Sequence, residues 1–170
     1  MASLVDELVE VLGAEEKIYQ KLIQYGEQKT DILVRADVPA LEELTSCEQV
    51  ASDDLIVQSN RQTQLLKDIA TVVGRDGEII TVTQLIELLG TQPEAQNKLS
   101  SAKEKLLEAA EKLRTLNGQN ITLLQQAIEL NEFDLTLFKS MRQAPETANY
   151  DKSACNTGSI LGKSGFDASS

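Results

Sequence analysis

The stretch Leu116-Asn117-Gly118-Gln119-Asn120-Ile121-Thr122-Leu123-Leu124-Gln125-Gln126-Ala127-Ile128-Glu129-Leu130-Asn131-Glu132-Phe133-Asp134-Leu135-Thr136-Leu137 decides how the chain folds. Within it Leu116, Asn120, Leu123, Ala127, Leu130, Asp134 and Leu137 follow one another at alternating steps of three and four, which places them on one stripe of an α-helix. A second apolar line, Ile121, Leu124, Ile128, Leu135 and Phe138, runs beside the first. One neighbouring helix cannot cover both lines, so this segment is either central in a bundle or offers a surface to a partner. Asn120 and Asp134 are polar positions on the first stripe, which either set register or meet a partner, or mark points where the stripe is simply exposed.

Working outward, Leu99, Ala102, Leu106, Ala109 and Leu113 carry the same rhythm back toward Pro93, and Met141 closes it, so the spacing predicts one helix over 93–141. At 1.5 Å per residue it would be about 70 Å long if straight. Gly118 lies near its middle and is a candidate bend. Lys98, Lys103, Glu104, Lys105, Glu108, Glu111, Lys112 and Arg114 flank the first half as an exposed bundle helix requires.

Upstream, Ser3 and Asp6 resemble a capping box opening a helix over 3–35, with Leu8, Val11, Glu15, Ile18, Leu22, Tyr25, Lys29 and Ile32 on its seam. Gly13 and Gly26 each cost about 1 kcal/mol relative to Ala in a helix interior and mark a bend or a close helix crossing. Asp37 or Val38, ahead of Pro39, restarts the chain into a second helix over 39–70. Its inner line is Leu41, Leu44, Cys47 or Glu48, Ala51, Leu55, Gln58, Gln62, Leu65 and Ile69, with Cys47 read as a buried small side chain. Asp76-Gly77 marks a turn in a loop over 71–80. Thr81 and Gln84 form a capping box for a short helix over 81–89, closed by Gly90.

These elements predict an all-α chain: an elongated antiparallel helical bundle, coiled-coil-like in its hairpin, with a very long C-terminal helix and a flexible tail. Residues 1–143 form the single bundle domain and 144–170 the tail, whose candidate anchors are Tyr150, Ile160-Leu161 and Phe166.

Composition narrows the function. The 170 residues carry 16 Lys and Arg against 27 Asp and Glu, a net charge of -11, and the bases are scattered singly, which argues against binding nucleic acid. Aromatic residues make up 4% with no Trp, so Leu, Ile, Val and Ala must supply the core. His is absent, removing the commonest general acid and base and the commonest zinc ligand. Gly74-Arg75-Asp76-Gly77 lacks the spacing and lysine of a phosphate loop. The adjacent pairs Glu15-Glu16, Glu42-Glu43 and Asp53-Asp54 point in different directions and make poor catalytic dyads. No catalytic residue, metal site or cofactor is expected. Neither a signal peptide nor an apolar run long enough to span a bilayer is present, and Cys47 and Cys155 lie far apart, so a soluble cytoplasmic protein with free thiols is expected.

The quoted stretch resembles the C-terminal helix of the FlgN family of flagellar export chaperones. The resemblance rests on asparagine at Asn117 or Asn120, paired aliphatics at Leu123-Leu124, the Ala127-Ile128-Glu129 group and an aromatic at Phe133 before further leucines. The order of two long helices, a short Thr-led helix, one very long helix and a loose tail agrees with it. The resemblance implies a cytoplasmic chaperone that holds the hook-filament junction proteins FlgK and FlgL by their C-terminal helical region and delivers them to the flagellar type III apparatus. Contacts with export-gate or ATPase-complex components are also implied. The client-binding residues it suggests are Asn120, Leu123, Leu124, Ala127, Ile128, Leu130, Asp134, Leu135, Leu137 and Phe138. The alternative is a self-associating structural coiled coil in which the broad apolar face pairs with a second copy, and a homodimer is compatible with either reading.

Overall fold

The computed structural model describes residues 2–75 and 77–142, and among them every regular element is helical. Helix α1 spans Ala2–Arg35, α2 Val38–Val72, α3 Val82–Leu88 and α4 Pro93–Arg142, with one 3₁₀ turn at Leu89–Thr91. The expected all-α architecture is therefore present, with ends displaced by no more than two residues. Cys155 and the anchors Tyr150, Ile160, Leu161 and Phe166 of the expected tail lie outside the described residues, as does Asp76. The chain divides into two compact units, the first over residues 1–128 and the second beginning at Glu129.

Local chemistry sets the helix ends. Ala36 takes the left-handed conformation at φ 53°, and its N–H and that of Asp37 donate to the carbonyls of Leu33 and Ile32, each at 3.2 Å. This Schellman arrangement closes α1 and satisfies its last carbonyls. Asp37 then caps α2, its carboxylate accepting from the Ala40 N–H at 3.1 Å, with Pro39 in the first turn where a missing N–H costs nothing. Gly74, at φ 75°, repeats the closing arrangement after α2. The Thr81 hydroxyl accepts from the Gln84 N–H while the Gln84 side chain accepts from the Thr81 N–H, completing the capping box of α3. Ser3, by contrast, lies inside α1 rather than at its cap, because the helix already includes Ala2. Gly118 interrupts nothing: α4 continues through it, and the Thr122 hydroxyl donates to its carbonyl at 3.1 Å.

Within the first unit α1 and α2 form an antiparallel hairpin, and α4 lies parallel to α1. Val5, Leu8 and Leu12 of α1, Leu65 and Ile69 of α2, Leu85 of α3 and Leu99 of α4 form one buried cluster. The N-terminal Val5 and Leu8 of α1 meet Leu99 of α4 in this cluster, and some thirty residues from the start of α1 the Thr30 hydroxyl donates to Asn120, so the two helices run in the same direction. Helix α3 lies against α4, where Gln96 Nε2 donates to the Ile86 carbonyl at 3.0 Å and Lys103 Nζ donates to the Thr83 hydroxyl at 2.8 Å.

Cys47 departs from expectation: it is exposed, and Glu48 takes the inward-facing position instead. The reason is electrostatic, since Lys29 on the α1 seam pairs with the Glu48 carboxylate and both side chains are largely shielded from water. Glu15 is also inward, at 4% exposure, and burial pushes its carboxyl above the ordinary carboxylate pKa.

Candidate functional site

Beyond the clustered end of the hairpin, the three long helices enclose a groove of about 600 Å³. Helix α1 contributes Tyr19, Leu22, Lys29 and Leu33, α2 contributes Leu41, Thr45, Glu48, Ser52 and Leu55, and α4 contributes Leu113, Asn117, Asn120, Ile121 and Leu124. The wall is mostly apolar, and the Lys29–Glu48 pair gives it one charged point.

Asn120 fixes the third wall. It is 3% exposed, its Nδ2 donates to the Gly26 carbonyl at 2.7 Å, and its Oδ1 accepts from the Thr30 hydroxyl at 2.7 Å. A buried amide must find partners, and here both come from α1, so the bonds define which face of α4 meets α1. Gly26 permits the approach: a Cβ there would stand 2.7 Å from Leu116 Cδ2. Gly13 meets nothing within 4 Å, so of the two glycines flagged as candidate crossings only Gly26 sits at one.

The structure separates the ten sequence-derived site residues. Asn120 is spent on α1, and Leu123 and Ala127 are half-buried. Leu124 lines the groove together with Ile121, which lay on the second apolar line but outside the ten. Ile128 is exposed. In the second unit Leu130, Asp134, Leu135, Leu137 and Phe138 are all exposed, and so is every residue from Glu129 to Arg142. Leu130, Phe133 and Phe138 each leave more than 60% of their surface in water.

Tyr19, Leu33, Leu41, Thr45, Ser52 and Leu55 are groove residues that the spacing of α4 alone did not reveal. The available signal was the opposite charge of Lys29 and Glu48 on facing seams, which marks where the hairpin becomes polar inside. Among the described residues no group of His, Cys, Asp or Glu could hold a metal ion, and no helix is long and apolar enough to cross a membrane. Glu94 and Lys98 form an exposed i,i+4 ion pair in the first turns of α4, each favouring the other's charged form.

A family model described as FlgN protein matches residues 1–157. The chain belongs to the FlgN family. No curated protein and no solved structure matches it. As a FlgN protein it is a flagellar type III export chaperone rather than an enzyme, and it acts by binding other proteins. FlgN chaperones bind hook-associated proteins, so the groove and the α4 face of this FlgN chain are to be judged as protein-binding surfaces.

Proposed function

We propose that this chain holds hook-associated proteins of the FlgK and FlgL type by their C-terminal helical region, prevents their premature assembly and delivers them to the flagellar export apparatus. The observation that supports this reading is the exposure of large apolar side chains along α4, among them Leu124, Ile128, Leu130, Leu135, Leu137 and Phe138. An assembly helix awaiting export presents an apolar face of the same kind, and laying it against α4 hides both faces from water. Leu123 and Ala127 extend the contact, Asp134 offers it an acceptor, and Asn120 holds the supporting wall. Components of the export gate or its ATPase complex would meet the loaded chaperone afterward.

Titration calorimetry with peptides from the C-terminal helices of FlgK and FlgL tests the reading. Leu124→Asp with Ile128→Asp is expected to weaken binding by at least about a hundredfold, the loss of two apolar contacts of roughly 1.5 kcal/mol or more each. Unchanged affinity in the folded double variant would sink it, and a stable homo-oligomer without client affinity would favour the self-associating alternative.

A further inference from the structure

Beyond Ile128 the two apolar lines of α4 have different borders. The first, carrying Leu130, Leu137 and Met141, is bordered by Asn131, Phe133, Phe138 and Ser140 and by no charge. The second takes Leu135 and Arg142 at heptad position a and Asn131 and Phe138 at d, so Glu132 and Lys139 fall at e on one border and Asp134 at g on the other. All of these side chains are exposed. Among the described residues neither Glu132 nor Lys139 has an ion-pair partner. An apolar face this wide needs a cover whenever no client lies on it.

The charges on the borders of the second line name the cover. In an antiparallel pair of helices a faces d and e faces e, whereas in a parallel pair a faces a and e faces g. A two-fold axis between Thr136 and Leu137 sets the Leu135 of each copy on the Phe138 of the other, each Asn131 on an Arg142 and each Glu132 on a Lys139. Moving one copy by a heptad in one direction brings Glu132 to Glu132 and Asp134 to Asp134, and in the other direction Lys139 to Lys139. A parallel pair gains Asp134 on Lys139 but stacks Arg142 on Arg142. Of these arrangements only the first joins opposite charges and opposes no like ones. We infer that, while no client is bound, residues 129–142 of α4 pair antiparallel with the same residues of a second copy, and that client displaces that copy. The displacement rests on the chaperone reading above, in which client takes Leu135 and Phe138; the pairing rests on the charges alone. The paired segment is about 20 Å long. With two Leu and two Phe at its centre it is an interface of the small, exchanging kind, so it shields the line and yields it.

The test is sedimentation equilibrium of the full chain over a range of concentrations at low ionic strength. A monomer–dimer equilibrium is expected, weakened by added salt. Glu132→Lys and Lys139→Glu are each expected to weaken it at least about tenfold, because symmetry enters every change twice. Both positions are exposed, so helical content by circular dichroism stays that of wild type. Combining the two reversals is expected to restore association to within about threefold of wild type. A chain that stays monomeric at its highest soluble concentration overturns the pairing, and so does a double variant no better than the single ones. Wild-type association in Glu132→Lys with loss in Asp134→Lys reports the parallel alignment and overturns the register. A peptide from the C-terminal helix of a hook-associated protein is expected to convert the dimer into one-to-one complexes. A dimer that binds this peptide and stays intact overturns the displacement, whereas a dimer that obeys the charge reversals and binds no client overturns the chaperone reading and leaves the pairing standing.

Discussion

The two ends of the α1–α2 hairpin use the same three long helices in opposite ways. At the α3 end Leu8, Leu12, Ile69, Leu85 and Leu99 are almost wholly removed from water, and the packing is dry. At the other end the helices are tied by an amide, a hydroxyl and an ion pair, and they leave a groove between them. The first end maintains the fold at the cost of offering nothing to a partner. The second uses directional bonds, which hold α4 in one rotation without filling the space beside it. The contrast teaches that a short helix of seven residues decides where this bundle is closed and where it is open.

The largest expected effect breaks the closed end. Leu99→Ala is expected to lose about 2–5 kcal/mol in urea denaturation, as for other fully buried leucines, while Leu124→Ala in the groove loses less than about 1 kcal/mol. Comparable losses at the two sites would remove the distinction between them. Next comes the amide tie: Asn120→Ala removes both bonds that the amide makes to α1, leaving the Thr30 hydroxyl and the Gly26 carbonyl only their bond to each other, and is expected to cost about 1–2 kcal/mol. A variant as stable as wild type would show that the amide does not hold α4.

Between the two ends sits Glu15. Because burial raises its pKa in the fold, the stability associated with its neutral form is fully present below the unfolded value near 4.5 and is lost as pH rises through the folded value. Glu15→Gln is therefore expected to be more stable than wild type at pH 7 by about 1 kcal/mol, with the gain shrinking as pH falls toward 4. Melting curves across that range check both the sign and the slope. The smallest effects separate two glycines of one helix. Gly13→Ala, with open space around it, is expected to stabilise by about 0.5–1 kcal/mol, and Gly26→Ala, pressed on Leu116, to give no gain or a loss of similar size. Equal gains at both would mean that α1 and α4 do not approach closely.

Most of the fold was legible in the sequence because its signals are local. Three-and-four spacing defined the long helices, Asp37 with Pro39 defined the break between α1 and α2, and Thr81 with Gln84 defined the start of α3. Position across helices was not legible in the same way. Cys47 and Glu48 compete for one inward place on α2, and the choice depends on Lys29, nineteen residues away, which no local pattern supplies. The candidate site divided for the same reason. Asn120 belongs to the same three-and-four stripe as Leu123 and Leu130, yet only the facing Gly26 and Thr30 distinguish a residue that ties the helix down from residues it displays. The groove residues of α1 and α2 were harder still, because a groove is the absence of a neighbour, and spacing within one helix records only that helix.

Only Ala36 and Asp37 separate α1 from α2. Closing that hairpin therefore orders almost no loop, whereas the bonds between α1 and Asn120 span 90 to 94 residues and carry a larger entropic cost before they form. The hairpin is expected to assemble first and α4 to dock afterward, so pulse-labelled amides of α1 and α2 gain protection ahead of those in residues 93–128. During synthesis, α1 and α2 emerge and pair while much of α4 is still being made. A chaperone for other chains thus passes through a stage of its own in which the flank of α1 that α4 will take stands uncovered.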